Sequence, residues 1–126
     1  MAFKSLFLLV VIFILSACEE SNDPEAVQLR VRNVSQHDYT GVVVSTGCCS
    51  HDFGDIPAGE VSEYEMYESA YRYGFVQLMV GEETFTLQPI DYVGESYLKS
   101  GSYTYEIDTY GNESQVSSIT LQLAKK

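Results

Sequence analysis

Two adjacent cysteines and a histidine form the most chemically distinctive feature of the sequence, in the segment Gly47-Cys48-Cys49-Ser50-His51-Asp52. Zinc and copper(I) favour thiolate and imidazole ligands, so Cys48, Cys49 and His51 are a candidate metal site. Structural zinc sites, however, place a short spacer between paired cysteines so that both sulfur atoms converge. Neighbouring side chains of an extended chain point to opposite faces, so a metal site here requires a tight loop.

A disulfide between Cys48 and Cys49 is the second hypothesis for this pair, because an exported chain folds in an oxidising compartment. Cα atoms across a trans peptide are about 3.8 Å apart, which is shorter than the roughly 4.4–6.8 Å that ordinary disulfides prefer. We therefore expect a bond between adjacent cysteines to be strained and easily reduced. Two alternatives stay open, namely free thiols and pairing with a cysteine of another molecule.

The other histidine, His37, is predicted to lie far from His51. A strand of eight residues is predicted over 39–46 between them, and at about 3.3 Å per residue it spans roughly 26 Å. The two imidazoles then cannot share a metal. Cys49 and His51 would share a face of a strand, but no orienting group or oxyanion donor is recognisable beside them. We therefore predict a protein that is not an enzyme and that uses no cofactor.

Tyrosine is abundant, with 10 residues in a chain that has 6 Phe and no Trp. The segment from Tyr64 to Tyr73 is the best candidate for an exposed aromatic patch, because its four tyrosines cannot all face inward. Such a patch would recognise a protein partner or the faces of sugar rings. The alternative is that most tyrosines line the core with their hydroxyls at its rim. The candidate patch comprises Tyr64, Tyr67, Tyr71 and Tyr73.

The chain is strongly acidic, with a formal net charge of −11 from 18 acidic and 7 basic residues. This charge repels phosphate backbones, so no nucleic-acid partner is predicted. It also repels anionic lipid head groups, so we expect the folded part to stand off a membrane surface. The simplest role of such acidity is to keep an exported protein soluble.

The first 18 residues, MAFKSLFLLVVIFILSAC, have the layout of a secretory signal peptide. Lys4 precedes an unbroken apolar run from Leu6 to Leu15, and the small residues Ser16 and Ala17 follow. As a helix the run is about 15 Å long. A bilayer core needs roughly 20 apolar residues, so the run is too short for a permanent span.

The four residues Leu15-Ser16-Ala17-Cys18 resemble the lipobox of bacterial lipoproteins. The resemblance implies a diacylglyceryl group on the sulfur of Cys18, cleavage between Ala17 and Cys18, and acylation of the new amino terminus with a fatty acid such as palmitate. Each buried methylene contributes about 0.8 kcal/mol, so several acyl chains on one residue hold a protein on a membrane. An ordinary signal peptide and an uncleaved signal anchor are the alternatives.

Residues 18–25 are polar, acidic and without periodicity, and we predict a short disordered tether. They resemble the acidic segment that directs some Gram-negative lipoproteins to the outer membrane or the cell surface. The predicted organisation is therefore a signal peptide over 1–17, a lipidated cysteine with its tether over 18–25 and a folded domain over 26–126. The predicted location is the outer membrane, on its periplasmic face or at the cell surface.

From Ala26 onward, apolar and polar residues alternate with a period of two, which is typical of half-buried strands. Turn signals separate the runs: Ile56-Pro57-Ala58-Gly59 suits a type I turn, and Gly81-Glu82-Glu83 predicts a hairpin between the strands on either side of it. Seven strands at spacings near ten residues predict a single antiparallel β-sandwich. Short helical turns are predicted at 69–71 and 91–94. The predicted strands cover 27–32, 39–46, 61–67, 75–80, 84–88, 102–109 and 118–124.

The segment Leu98-Lys99-Ser100-Gly101-Ser102-Tyr103 resembles the Leu-x-x-Gly-x-Tyr step from turn to strand in transthyretin-like and other immunoglobulin-like extracellular modules. The resemblance implies a sandwich and carries no site. We therefore predict a membrane-anchored envelope lipoprotein that serves in binding, adhesion or envelope assembly, with a protein or carbohydrate ligand. The alternative is an exported metal-binding or thiol-redox module that uses Cys48, Cys49 and His51.

Overall fold

The computed structural model describes residues 26–89, 95–112 and 115–125 of the chain. Within these residues the chain forms eight strands and no helix, arranged as two four-stranded sheets. The predicted all-β sandwich is confirmed, with one strand more in the described residues than was predicted. The strands are β1 (Val27–Asn33), β2 (Tyr39–Thr46), β3 (Cys49–Ile56), β4 (Glu65–Tyr67), β5 (Phe75–Val80), β6 (Glu83–Leu87), β7 (Gly101–Asn112) and β8 (Gln115–Lys125).

The two sheets have the strand orders β4-β1-β7-β8 and β3-β2-β5-β6. Every neighbouring pair is antiparallel except β1 and β7, which run parallel. The β5–β6 pair is the predicted hairpin, turned by Gly81 with a positive φ of 63°. The two strands of the parallel pair are far apart in sequence, so no tight turn dictates their relative direction.

The period-two pattern produces the core. Successive side chains of a strand point to opposite faces, so Val27, Leu29 and Val31 of β1 are fully buried while their neighbours face outward. The same alternation buries Val42 and Val44 of β2. The inner faces of both sheets then meet, and the remaining large buried side chains are Tyr39, Ile56, Tyr67, Val76, Leu78, Tyr105 and Ile107.

Two buried tyrosines connect the sheets through their hydroxyl groups. Tyr39 in β2 donates to the carbonyl of Ile107 in β7 at 3.0 Å, and Tyr67 in β4 donates to the carbonyl of Val44 in β2 at 2.8 Å. Burial raises the pKa of both hydroxyls above the ordinary value of tyrosine. Both side chains therefore stay neutral donors over the physiological pH range.

The outer face of the first sheet is organised around two arginines of β1. The guanidinium of Arg30 lies 4.7 Å from the centre of the Tyr64 ring, and its Nε donates to Thr104 Oγ1 at 3.0 Å. Arg32 pairs with Glu106 of β7, with 3.6 Å between nitrogen and oxygen. Glu106 thus balances the charge of Arg32, and the guanidinium of Arg30 covers the aromatic ring of Tyr64.

The segment before β7 is a turn closed by tyrosine. The hydroxyl of Tyr103 donates to the carbonyl of Lys99 at 2.8 Å, and the amide of Leu98 donates to the carbonyl of Ala70 at 2.8 Å. Gly101, with a φ of 145°, lies in this turn between Lys99 and Tyr103. The turn thus holds the start of β7 against the chain segment that follows β4.

The sandwich has two ends, which we call the near pole and the far pole. Val27 pairs with both Tyr67 and Gly101, so β1 and β7 begin, and β4 ends, at the near pole. The amide of Cys48 donates to the carbonyl of Ser69 at 3.3 Å, which places the β2–β3 turn at the same end. The near pole comprises 46–49, 68–75 and 95–101, and the far pole comprises 33–39, 57–61 and 81–82.

Three sequence predictions are wrong within the described residues. Strand β3 lies where only a loop was expected. The strand predicted over 61–67 is formed only by Glu65–Tyr67, with Val61 making an isolated bridge to Arg32. Within this strand Tyr67 is buried and Met66 is 53% exposed. Residues 69–71 form no helical turn, and bends lie at 68–69 and 72–73 instead.

The signal peptide predicted over 1–17, the tether over 18–25 with Cys18, and the helical turn over 91–94 lie outside the described residues. Where the structure describes the chain, it contains no helix of sufficient length and apolar character to cross a membrane.

Candidate functional site: a hollow beside the cysteine turn

The turn between β2 and β3 carries both cysteines of the domain, and we call residues 46–49 the cysteine turn. A disulfide joins Cys48 to Cys49, whose Cα atoms are 3.7 Å apart. Gly47 opens the turn with a φ of 59°, a left-handed conformation that favours glycine. Cys48 is exposed and Cys49 is half-buried, so part of the disulfide surface faces solvent.

The cysteine turn lies in direct backbone contact with the segment after β4. The Cys48 amide donates to the Ser69 carbonyl, and the Ser69 amide in turn donates to Cys48 Sγ at 3.4 Å. A Cβ atom at Gly47 would collide with the Ser69 carbonyl group. Only glycine therefore permits this approach, and the two segments form one rigid unit.

The buried side chain of Thr46 holds the backbone of Tyr71 and Tyr73 in place. Thr46, only 3% exposed, accepts a hydrogen bond from the Tyr71 amide at 2.9 Å and donates to the Tyr73 carbonyl at 2.9 Å. The Tyr105 hydroxyl donates to the Tyr71 carbonyl at 2.6 Å. Both polar groups of the Tyr71 backbone are thus held from the core side.

The ring of Tyr71 is stacked with the ring of Tyr97. Their centroids are 4.8 Å apart and their planes differ by 26°. Tyr97 is 59% exposed, whereas Tyr71 is half-buried. The hydrogen bond between Leu98 and Ala70 brings the two segments together. The result is a supported aromatic surface at the near pole.

A hollow of about 390 Å³ lies between this aromatic surface and the disulfide, and we call it the near-pole hollow. The disulfide and the rings of Tyr71 and Phe75 provide its apolar part, and Ser45 and Ser50, which flank the turn, provide hydroxyl groups. None of its lining residues is charged. They are Ser45, Thr46, Gly47, Cys48, Cys49, Ser50, Tyr71 and Phe75.

His51 does not join the cysteines. It faces β4, where its Nε2 is 2.9 Å from the Met66 carbonyl and its Nδ1 is 3.7 Å from Glu65 Oε2. The ring also contacts that of Tyr67 edge-on, with 4.6 Å between centroids. His51 therefore connects β3 of one sheet to β4 of the other, a structural role that the sequence did not indicate.

The predicted metal triad does not assemble. The sulfur atoms of Cys48 and Cys49 are bonded to each other, and both nitrogen atoms of His51 face β4. Across the described residues, no group of three or more His, Cys, Asp and Glu side chains is arranged to hold a metal ion. His37 lies at the far pole, where its carbonyl accepts from the Asn33 amide side chain, with β2 between it and the cysteine turn.

The four predicted patch tyrosines do not form one surface. Tyr67 is fully buried, and Tyr64 is half-buried beneath Arg30. Tyr73 lines a different hollow of about 590 Å³, next to Leu87 and Leu121. Only Tyr71 belongs to the near-pole hollow.

Sequence reasoning missed Phe75 and Tyr97 as partners of Tyr71. Phe75 was expected in a strand, and the structure places it at the β5 terminus that borders the cysteine turn. Tyr97 lies far along the chain from Tyr71, and the contact depends on a backbone hydrogen bond between two loops. No local sequence signal could have revealed this pairing.

Comparisons with known proteins inform the fold. Neither the protein-family models nor the curated proteins contain a match to this chain. A solved structure described as the NMR structure of the protein from Eubacterium rectale superposes with a TM-score of 0.54 at 13% sequence identity. The superposition covers 77% of this chain and 88% of that chain. At this identity, the likeness supports the sandwich architecture alone.

Proposed function

We propose that this chain is a lipid-anchored lipoprotein of the bacterial envelope, whose β-sandwich binds a ligand at the near pole without catalysing a reaction. The observation that carries the binding role is the near-pole hollow, where Tyr71, whose ring is stacked on that of Tyr97, and a disulfide border uncharged polar residues. Binding pockets commonly combine an apolar lining with a few placed polar groups.

The lipobox supports the anchor, and the position of β1 in the fold indicates which end of the domain would face the membrane. Residues 18–25 precede β1, and eight extended residues reach at most about 29 Å. Because β1 begins at the near pole, this tether would hold the near pole, with its hollow, towards the membrane. The acidic side chains, which give the whole chain a formal net charge of −11, would keep the domain from lying flat on anionic lipid.

Metabolic labelling of cells with palmitate tests the anchor. We expect the wild-type chain to incorporate label and to fractionate with the outer membrane, and the Cys18→Ala variant to lose both properties. The matched control is the double variant Cys48→Ser/Cys49→Ser, which keeps the lipobox and should keep its label. Label that persists in Cys18→Ala would contradict the anchor. Protease treatment of intact cells then tells whether the domain is at the cell surface, where it is digested, or on the periplasmic face, where it is protected.

A thiol-redox role is the second candidate, and the exposed disulfide favours it. In such a reaction a partner dithiol transfers two electrons and two protons to the Cys48–Cys49 bond, which yields two thiols here and a disulfide on the partner. Thiol titration after incubation with a reduced dithiol protein measures this exchange. If wild type and Cys48→Ser oxidise the dithiol protein equally slowly, this candidate is excluded.

A further inference from the structure

We propose that the near-pole hollow binds one ring of a neutral saccharide, which stacks on Tyr71 and rests on the Cys48–Cys49 disulfide. This inference rests on the proposed binding function and specifies its ligand class. Three properties of the hollow lead to it, namely the absence of charge among its lining residues, its two chemically different sides and its fixed shape.

The absence of charge is notable because the chain as a whole is acidic. None of the eight residues that line the hollow carries a charge. An anionic ligand would find no lysine or arginine among these residues, and a cationic ligand would find no carboxylate. Transfer of an unpaired charge from water into such a site is unfavourable. The hollow therefore selects a neutral ligand.

The two sides of the hollow match the two kinds of surface that a pyranose ring presents. The rings of Tyr71 and Phe75 and the disulfide provide an apolar surface for the C–H face of a sugar. The hydroxyls of Ser45 and Ser50 provide partners for the hydroxyl groups around the ring. A purely aromatic ligand would leave these polar groups unpaired, which is unfavourable.

The fixed shape of the hollow lowers the entropy lost on binding. The contact of Gly47 with Ser69 holds the turn, and the hydrogen bonds of Thr46 and Tyr105 hold the Tyr71 backbone. A preorganised site spends less free energy on ordering itself. Its volume of about 390 Å³ lies at the small end of the roughly 300–1,000 Å³ of ligand pockets, which suits a saccharide terminus.

The disulfide has a specific part in this arrangement because it keeps the two sulfur atoms together beneath the ligand. Side chains of adjacent residues in an extended chain point to opposite faces. Reduction of the bond would allow the two thiols to separate and would remove one side of the hollow. Ligand affinity should therefore depend on the oxidation state of Cys48 and Cys49.

Glycan binding by the purified full-length chain in detergent tests the proposal. An array of neutral, sialylated and sulfated glycans identifies the preferred class, and calorimetry measures affinity for the best free glycan. We expect neutral glycans to bind, Tyr71→Ala to weaken binding at least tenfold and Tyr71→Phe to retain it. The matched control is Tyr110→Ala, which removes a tyrosine that is 55% exposed at the far end of β7.

Two further measurements keep the test decisive if Tyr71→Ala fails to fold. Tyr97→Ala changes a side chain that is 59% exposed and should weaken binding about threefold to tenfold through loss of the stacked support. Treatment with a dithiol should weaken binding by wild type about tenfold and leave the residual affinity of Cys48→Ser/Cys49→Ser unchanged. Affinity that none of these changes lowers would overturn the proposal.

The remaining outcomes separate this inference from the anchor. A chain that incorporates palmitate and binds no glycan, or binds only anionic glycans, refutes the ligand class and leaves the anchor intact. A chain that binds neutral glycans without incorporating palmitate refutes the anchor alone. Vesicles that carry a neutral glycolipid, compared with the free glycan at equal concentration, distinguish a lipid head group from a soluble source.

Discussion

The near pole and the far pole are both held by buried polar side chains, but they use these side chains differently. At the far pole the fully buried Asn33 donates to the carbonyls of His37 and Ile56, at 2.7 and 2.9 Å, and accepts from the Ser35 amide at 2.9 Å. At the near pole Thr46 binds the backbone of the segment that carries Tyr71. The Thr46 hydroxyl holds this backbone from the core side, while the Tyr71 ring and the disulfide border the near-pole hollow.

This difference supports the proposed function, in which the far pole stabilises the fold and the near pole binds the ligand. The Asn33 amide uses both donors and its acceptor within the fold, so no group is left for a ligand. The cysteine turn, in contrast, is rigid and still partly exposed. A rigid exposed surface suits binding because its shape is already fixed before the ligand arrives.

The largest effect on stability is expected from Gly47→Ala at the near pole. The new Cβ would combine the strain of a positive φ, about 1–2 kcal/mol, with overpacking against the Ser69 carbonyl, about 1–3 kcal/mol. We expect a total loss of about 4 kcal/mol in the free energy of unfolding, measured by urea denaturation.

Gly54→Ala is the matched control for this substitution. Gly54 has a similar φ of 73°, but no atom lies within 4 Å of its Cβ position. It should lose only the contribution of backbone strain, about 1–2 kcal/mol. Equal losses for the two variants would show that the close contact with Ser69 does not exist in solution.

Asn33→Ala should give the next largest loss, at the far pole. It leaves the carbonyls of His37 and Ile56 without their donor and removes an acceptor from Ser35. Each buried polar group that loses its partner destabilises the folded state by about 1–3 kcal/mol. We therefore expect Asn33→Ala to lower the free energy of unfolding by about 3 kcal/mol, measured by urea denaturation. The exposed neighbour Gln36, changed to Ala, should alter stability by less than about 0.5 kcal/mol. If Asn33→Ala destabilised the fold as little as Gln36→Ala, the Asn33 side chain would not be what holds the far pole together.

Alkaline pH should weaken both ends of the fold. Burial raises the pKa of Tyr39 and Tyr67, with repulsion from Tyr105 and Glu65 adding to the effect at Tyr67. The folded state therefore keeps protons that the unfolded state releases above its pKa of about 10, so stability is complete below pH 10 and falls as pH rises. Each tyrosine contributes a slope of up to about 1.4 kcal/mol per pH unit.

Phenylalanine variants test this origin of the alkaline loss. Tyr39→Phe and Tyr67→Phe should each lose about 1 kcal/mol at neutral pH through the missing hydrogen bond. Each should also show a shallower decline between pH 10 and pH 11.5 in chemical denaturation. An unchanged slope in both variants would disprove the assignment.

The smallest effect is expected from the ion pair between Arg32 and Glu106. The two side chains are 43% and 28% exposed, and solvent weakens their attraction. Removing the pair by Glu106→Gln should change the free energy of unfolding by less than about 0.5 kcal/mol in 0.15 M salt. A loss above 1 kcal/mol would mean that this pair stabilises the fold more than an ion pair of its exposure normally does.

The sequence was sufficient for strands in which β-branched and other apolar residues dominate. The bounds predicted for β2 and β5 are confirmed, since runs such as Val42-Val43-Val44 strongly favour a pleated, half-buried surface. Strand β3, in contrast, contains charged residues and Gly54. It has only β2 as a sheet neighbour and pairs with it through irregular register near Val42, so it shows no clean alternation.

Strand β4 shows the limit of a pattern with period two. The pattern fixes the alternation but not which set faces inward, and a shift of one residue reverses every side chain. Tyr67 is drawn inward because its hydroxyl reaches the Val44 carbonyl across the core. That contact depends on the packing of two sheets, which no local window of the sequence contains.

The candidate site was predicted in part for the same reason. The cysteines stood out as a pair, and Tyr71 was among the candidate aromatic residues. Their meeting depends on contacts between segments far apart in sequence, from Cys48 to Ser69 and from Leu98 to Ala70. Tertiary hydrogen bonds between loops leave no periodic trace in a sequence, so the hollow became visible only in the folded chain.

The pairing of β1 and β8 with β7 has a practical consequence for the design of reagents. Val27 pairs with Gly101 and Lys125 with Tyr103, so the described chain starts and stops at one end of the molecule. A fluorescent protein or affinity tag fused after β8 would crowd that end. The Gly81-Glu82 hairpin turn lies at the opposite end and leaves open space around Gly81. Insertion of a short epitope there would report on the protein in cells without covering the near-pole hollow.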